Sequence, residues 1–86
     1  MEKHWHEKAW DDYLYWQTQD KKTVRKINAL IKEIERSEGK PAGKAELLTG
    51  SLSGWRSVRI DSGNRIIYRV LDGHLQILSC RGHYVV

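Results

Sequence analysis

The chain has 86 residues and a net charge of +4, with 40% hydrophobic and 30% charged residues. This composition is too apolar for a disordered chain, and the length is typical of one domain, so we expect residues 1–86 to fold as a unit. No apolar run approaches the roughly 20 residues of a membrane-spanning helix, and no signal-peptide pattern follows Met1. The single cysteine excludes an internal disulfide. We therefore expect a cytoplasmic protein with no membrane association.

The charge is distributed unevenly along the chain. Residues 1–20 hold two lysines against five carboxylates, and residues 21–44 hold eight cations against three glutamates. After residue 44 the chain contains arginines but no lysine. The planar guanidinium group of arginine suits bidentate contact with phosphate. A basic chain of this kind suggests nucleic acid or an acidic partner. Arginines that only keep a sheet surface soluble would give the same numbers of charged residues.

The N-terminal half predicts a short strand followed by two helices. Residues 3–6 alternate weakly, as in an initial strand. Residues 7–18 predict an amphipathic helix from the i, i+3, i+4 spacing of Trp10, Tyr13 and Leu14. We expect Trp10 and Tyr13 to lie in the core.

The second helix has clear start and stop signals. Asp20 is a good N-cap, and the helix should end near Ser37, because Gly39 can cap it and Pro41 cannot continue it. Residues 38–44 form a loop. The apolar stripe of this helix consists of Val24, Ile27, Leu30, Ile31 and Ile34.

After Gly54 the hydrophobic period changes from 3.6 to 2, which predicts three strands near residues 55–61, 65–71 and 74–81. Asp72-Gly73 predicts a two-residue turn that pairs Val70 with Leu75, Tyr68 with Ile77 and Arg65 with Cys80. For the preceding hairpin we predict a three-residue loop, Ser62-Gly63-Asn64. It would pair Ile60 with Ile66 and Val58 with Tyr68, and so keep apolar residues on one face.

This register predicts two different sheet faces. The face under the helices contains Val58, Ile60, Ile66, Tyr68, Val70, Leu75 and Ile77. The opposite face contains Arg59, Arg65, Arg69, Ile67, Gln76 and Leu78. The predicted fold class is α+β, with two N-terminal helices on one face of a twisted, mainly antiparallel sheet in the order β-α-α-β-β-β.

Some of these residues could cleave RNA without a metal. That chemistry takes a base for the 2′-hydroxyl, an acid for the departing oxygen and a cation for the charge on phosphorus. The candidates are Glu46, Arg59, Arg65 and His83. From spacing alone Glu46 could equally be a loop carboxylate, Arg65 the partner of Asp61, and His83 a surface imidazole.

Other side chains give weaker signals. His4, His6 and His83 could share a metal, but they lack a nearby acidic or thiolate partner, so we expect no metal and no cofactor. Cys80 has no activating neighbour and is expected to pack in the core. Trp55 and Tyr84 are candidate base-stacking residues because they lie near the arginines.

The ordered set of segments resembles the YoeB (Txe) toxins of the RelE superfamily over nearly the whole chain. The N-terminal segments are Trp10-Asp11-Asp12-Tyr13-Leu14-Tyr15-Trp16, Asp20-Lys21 and Lys26-Ile27-Asn28-x-Leu30-Ile31-Lys32. The later ones are Gly43-Lys44-x-Glu46-x-Leu48, Leu52-Ser53-Gly54, Arg59-Ile60, Arg65-x-x-Tyr68 and Cys80-Arg81-x-His83-Tyr84. The chain departs from the family pattern at Arg56, Thr49 and Gly63, and in its Val85-Val86 tail.

The resemblance implies a RelE-like fold and a toxin of a type II toxin–antitoxin pair. Such a toxin would cut mRNA in the ribosomal A site without a metal and be silenced by a YefM-like antitoxin; whether it forms a homodimer stays open. The resemblance places the general base on Glu46, the phosphate-stabilising cation on Arg65 and the general acid on His83. Substrate-binding positions would be Arg59, Tyr84, Lys44, Trp55 and Arg56. The alternative is a non-catalytic basic module that binds ribosome, RNA or antitoxin.

Overall fold

The computed structural model describes residues 1–37 and 45–83. Its elements, in chain order, are β1 (Glu2–Trp5), α1 (Glu7–Gln19), α2 (Lys21–Arg36), β2 (Glu46–Leu47), a 3-10 turn (Gly50–Leu52), β3 (Arg56–Asp61), β4 (Asn64–Leu71) and β5 (His74–Ser79). The strands form one sheet in the order β1-β5-β4-β3-β2. β1 runs parallel to β5, and the other neighbours are antiparallel.

The predicted α+β class and the β-α-α-β-β-β order are confirmed, with one addition. The two-residue strand β2 lies at the sheet edge beside β3 and was not predicted. A segment of two residues is too short to display the alternation by which strands are recognised.

Helix α2 begins as predicted, because Asp20 caps it. The Asp20 carboxylate accepts hydrogen bonds from the amides of Lys22 and Thr23 and from the Thr23 hydroxyl. The hydroxyl contact is the main cause of the lowered pKa of Asp20. The helix ends at Arg36, before the C-cap Ser37, and the predicted cap at Gly39 and Pro41 lies outside the described residues. Residues of the predicted apolar stripe that reach the core are Ile27, Ile31, Ile34 and, in part, Leu30.

Helix α1 has a different buried side from the predicted one. Ala9 and Asp12 are buried and Tyr13 is half-buried, whereas Trp10 is 45% exposed. The expectation of a core position for Trp10 is therefore wrong, and its ring lies instead beside those of Trp5 and Tyr13 on the outside. The small side chain of Ala9 lets the helix lie close to the sheet and brings Asp12 to the end of β5.

The predicted three-residue loop between β3 and β4 is wrong. Asp61 pairs with Asn64 around a two-residue turn, and a register shift between Arg59 and Asp61 places Val58 opposite Ile66. The β-bulge inserts one residue, so Val58 and Ile60 both remain in the core despite the short turn. The face assignment was correct even though the register was not.

The pairing predicted for the β4–β5 hairpin is only partly correct, because a second register shift lies between Ile67 and Tyr68. Val70 pairs with Leu75 and Tyr68 with Ile77, as predicted, but Ile67 then pairs with Ser79. The predicted pairing of Arg65 with Cys80 is therefore wrong. The amide of Arg65 instead donates to the Gly82 carbonyl at 3.2 Å, so the chain after β5 continues alongside the start of β4.

Apolar side chains cover both faces of the sheet. The predicted helix-side residues Val58, Ile60, Ile66, Tyr68, Leu75 and Ile77 are buried with the helices, and Val70 packs against them. On the opposite face, Ile67 is buried with Leu52 and Trp55, and Leu48 and Leu78 pack against this second cluster. The segment between β2 and β3 thus covers part of the face that carries the arginines.

Two side chains of α1 hold the backbone of Cys80. The Asp12 carboxylate accepts from the Cys80 amide at 3.1 Å, and the Trp16 indole donates to its carbonyl at 2.9 Å. Lys8 donates to the same Asp12 oxygen at 2.9 Å. The Cys80 side chain is fully buried, and burial, followed by the Asp12 charge, raises its pKa to about 12. The expected packing role of this thiol agrees with that environment.

Within residues 1–37 and 45–83, neither helix has the length and apolar character that crossing a bilayer requires.

Replacing Asp12 by alanine should destabilise the fold strongly. The change leaves the buried Cys80 amide without its acceptor, which typically costs about 1–3 kcal/mol of unfolding free energy. Asp11→Ala removes the same charge from an exposed neighbouring position and should cost much less. Urea denaturation of both variants measures the difference, and equal losses would show that the Asp12 contact contributes nothing.

Candidate active site

Glu46 lies on the arginine-bearing face of the sheet, at its edge. It is exposed and pairs directly with Ser57 of β3, and paired residues of antiparallel strands share a face. Ser57 is buried, and its hydroxyl lies 3.5 Å from Nη1 of Arg65. Glu46 and Arg65 therefore approach the same serine from two sides.

Arg59 and Arg65 face each other across β3 and β4. Like charges at directly opposed positions repel, and the arrangement is unfavourable until an anion lies between them. Among residues 1–37 and 45–83, neither arginine forms an ion pair with a carboxylate. The alternative in which Arg65 pairs with Asp61 is not observed, because Asp61 bonds to Gly63 and Asn64 instead.

His83 lies beside the β3–β4 turn, where contacts between Gly82 and the start of β4 hold the chain. The Gly82 amide donates to the Asn64 side chain at 2.8 Å, and the Gly82 carbonyl accepts from the Arg65 amide. Nε2 of the exposed His83 lies 3.2 Å from the Ser62 carbonyl. The position of His83 is thus tied through the backbone to that of Arg65.

Helix α1 also holds Arg81, the residue between Cys80 and this turn. The Arg81 guanidinium lies 3.6 Å from the centroid of the Tyr15 ring, a cation–π contact. Nζ of Lys8 donates to the Arg81 carbonyl at 3.5 Å. Contacts from one helix therefore determine where the chain enters the segment that carries His83.

Trp55 does not present an open surface for base stacking. It is 8% exposed, and the Arg69 guanidinium lies 4.3 Å from the centroid of its ring. Nε of Arg69 also donates to Gln76 at 2.7 Å, and the His6 ring meets the indole edge-on. The predicted substrate contact of Trp55 is corrected to a packing role in the second apolar cluster.

Arg56 lies on the other side of the sheet from Arg59 and Arg65. It pairs with Tyr68, a residue of the core beneath the helices. Burial raises the pKa of Tyr68, and the charge of Arg56 acts in the opposite direction, which agrees with their proximity. The structure does not bring Arg56 together with the other candidates, and the predicted substrate contacts Lys44 and Tyr84 lie outside the described residues.

Two residues that position the site were not singled out from the sequence. Ser57 is the strand partner of Glu46, and its hydroxyl also contacts the Arg65 guanidinium. Asn64 joins the β3–β4 turn to Gly82. The alternation of β3 places Ser57 on the same face as Arg59, so this signal was present. Nothing local marks Asn64, because its partner is 18 residues away.

The assembled groups can perform general acid–base chemistry on a phosphodiester. The site combines a carboxylate and two guanidinium groups on one face of the sheet with an imidazole beside the β3–β4 turn. Within the residues that the structure describes, neither guanidinium is ion-paired to a carboxylate. A carboxylate can remove a proton, an imidazolium can donate one, and the guanidinium fork can bind the phosphate between them.

Comparison with known proteins shows which family the chain belongs to. The model of the YoeB-like toxins of bacterial type II toxin–antitoxin systems matches residues 5–84. Toxin YoeB of Escherichia coli (strain K12) is 50% identical over 80 residues, which cover 93% of this chain and 95% of that protein.

Solved structures show the same fold. The YoeB/ParE toxin from Agrobacterium tumefaciens superimposes with a TM-score of 0.89 at 40% identity, covering 98% of this chain and 100% of that one. YoeB in the heterotetrameric YoeB–YefM complex from Staphylococcus aureus has a TM-score of 0.87 at 41% identity, with 98% of both chains covered. A YoeB dimer from the same organism is also similar.

The fold is that of a RelE-superfamily toxin. Within that class, the chain belongs to the family of YoeB-like toxins of bacterial type II toxin–antitoxin systems.

Gly82 has φ +79°, a left-handed conformation that costs a residue with a Cβ roughly 1–2 kcal/mol. Gly82→Ala should therefore weaken the contact of residue 82 with Asn64 and lower the protection of its amide from hydrogen exchange by roughly fivefold or more. Gly63→Ala is the matched control, because an added Cβ there meets only Asp61 Oδ1 at 3.8 Å. Unchanged protection in Gly82→Ala would contradict the proposed role of this turn.

Proposed function

We propose that this toxin is a ribosome-dependent mRNA endoribonuclease that cleaves mRNA in the A site and so inhibits translation in the cytoplasm. The observation that carries the proposal is that Glu46, Arg59 and Arg65 share one face of the sheet, while His83 lies beside the β3–β4 turn, next to the start of the strand that carries Arg65. Membership of the YoeB-like family supports the toxin class, and the chemistry is argued from the residues.

The reaction begins with removal of a proton from a ribose 2′-hydroxyl by Glu46. The 2′-oxygen attacks the adjacent phosphorus, and the bond from phosphorus to the 5′-oxygen breaks. His83 gives a proton to that leaving oxygen. The products are a 2′,3′-cyclic phosphate and a free 5′-hydroxyl, and no metal is required.

Arg65 and Arg59 stabilise the negative charge that builds on the phosphate oxygens. Their mutual repulsion favours an anion between them, and Ser57 holds the Arg65 guanidinium on the side of Glu46. Preorganised cations of this kind do not have to reorganise during the reaction.

The Ser62 carbonyl has a role in proton donation. A carbonyl only accepts hydrogen bonds, so the contact with Nε2 of His83 requires a proton on that nitrogen. The Nδ1–H of the imidazolium is then the donor to the leaving oxygen.

Regulation follows from the same charges. A YefM-like antitoxin would inhibit the toxin by laying an acidic segment across Arg59 and Arg65. YoeB from Staphylococcus aureus, 41% identical to this chain, forms a heterotetrameric complex with YefM. We also propose a homodimer, because YoeB from Staphylococcus aureus has been solved as a dimer.

Single substitutions of the three catalytic groups should abolish most cleavage in a ribosome-programmed primer-extension assay. Glu46→Gln and His83→Gln each remove a proton-transfer group, and we expect losses of roughly 10²-fold or more. Arg65→Ala removes a charge-stabilising group, and we expect roughly 10²–10³-fold. The rate of appearance of the A-site product with programmed bacterial ribosomes measures all three.

The controls are matched in chemistry and lie away from the site. Glu33→Gln neutralises one exposed carboxylate of α2, and His4→Gln replaces one exposed imidazole of β1. Both should cleave at wild-type rates. Ribosome binding by folded wild-type protein without any cleavage would overturn the nuclease proposal in favour of a binding module, and equal cleavage of naked transcript would overturn its ribosome dependence.

A further inference from the structure

Glu2, His4 and His74 form a cluster at the opposite end of the sheet from His83. Glu2 and His4 lie two residues apart on β1, so their side chains share a face. Glu2 pairs in register with His74, the first residue of β5. His74 also pairs with Leu71 at the far end of β4 from Arg65. The cluster is therefore separate from the candidate active site.

The three side chains already lie close to the geometry of a metal site. One ligand atom from each falls within 4.8 Å of the other two. Oε2 of Glu2 is 3.4 Å from Nδ1 of His74, which matches the edge of a tetrahedron with metal–ligand bonds of about 2.0–2.1 Å. The His4 and His74 ring centroids are 5.1 Å apart. The third ligand atom comes from exposed His4, whose side chain must move closer for all three atoms to bind one ion.

An unsatisfied nitrogen gives an independent reason to expect a ligand. Nδ1 of His74 is buried at the atomic level, and within the part of the chain that the structure describes it has no hydrogen-bond partner. Its 3.4 Å approach to Glu2 does not meet hydrogen-bond geometry. A buried polar atom without a partner is costly, and a metal ion between His74 and Glu2 would satisfy both groups.

The donor set indicates the kind of ion. Two imidazoles and one carboxylate suit late first-row divalent metals, and Zn²⁺ is commonly held by this set with a fourth position left for water. Ca²⁺ and Mg²⁺ prefer oxygen ligands and are disfavoured. The histidine set considered from the sequence, His4 with His6 and His83, does not cluster within the described residues; His6 meets Trp55 instead.

We propose that Glu2, His4 and His74 bind one Zn²⁺ ion, which joins the edge strand β1 to β5. The four-residue parallel pairing of β1 is the shorter of the attachments of β5 to its two neighbours. A metal that bridges both strands stabilises the folded state by binding it in preference to the unfolded chain. The site acts on stability and is independent of RNA cleavage.

The test is isothermal titration of tag-free protein with Zn²⁺, together with thermal unfolding. We expect one Zn²⁺ per chain and, at saturating Zn²⁺, a Tm increase of roughly 5 °C or more, since 1 kcal/mol corresponds to about 4–8 °C in a domain of this size. His74→Gln and His4→Gln should each weaken binding by roughly tenfold or more, because loss of even an outer-shell partner of a ligand typically costs 10–100-fold.

Two further variants keep the test decisive. Glu2→Gln changes a side chain that is 76% exposed, so it should fold normally while losing affinity and the Zn²⁺-induced Tm increase. His6→Gln, two residues beyond His4, should bind Zn²⁺ as the wild type does. Absence of Zn²⁺ binding to the wild type, or equal binding by Glu2→Gln, His4→Gln and His74→Gln, would overturn the proposal.

Discussion

Two side chains of α1 hydrogen-bond to the backbone of Cys80, and the rest of the structure depends on this contact. Asp12 accepts from its amide and Trp16 donates to its carbonyl. The helix thereby joins the sheet at the point where β5 ends and the segment carrying His83 begins. An ionised acceptor makes such a bond worth more than a neutral pair, and its burial makes the bond costly to lose. The need for a hydrogen-bond acceptor at the Cys80 amide explains why Asp12, and not a larger apolar residue, is buried here.

From Cys80 the chain reaches the arginines through backbone contacts. Gly82 turns in the left-handed region, bonds to Asn64 and accepts from the Arg65 amide, which ties the end of the chain to the start of β4. Two β-bulges adjust the register so that both faces keep their apolar residues. The same face then combines a packed cluster around Ile67 with exposed cations. A sheet that is buried on both sides over part of its area is a rigid support for a phosphate-binding group.

Much of this arrangement follows from local sequence patterns. Periodicity predicted both helices and the three main strands, Asp20 predicted the start of α2, and alternation placed Arg59 and Arg65 together. The bulges at Ile60 and between Ile67 and Tyr68 were missed because they depend on pairing with distant strands. Trp10 was misassigned because the burial of a helix face depends on what the helix packs against. Glu46 and His83 were candidates by residue type, but only the resemblance assigned them to the site, since β2 is two residues long and the position of His83 depends on the distant contact between Gly82 and Asn64.

The most direct test of the central claim concerns the attacking oxygen. A defined mRNA with a single 2′-deoxy nucleotide immediately before the cleavage position would be presented on programmed bacterial ribosomes and compared with the all-ribose message. If Glu46 activates the 2′-hydroxyl and His83 protonates the leaving oxygen, the deoxy message remains intact while the ribose message is cut. Cleavage of both messages at the same position and rate would contradict the account, because the 2′-oxygen would then not be the nucleophile.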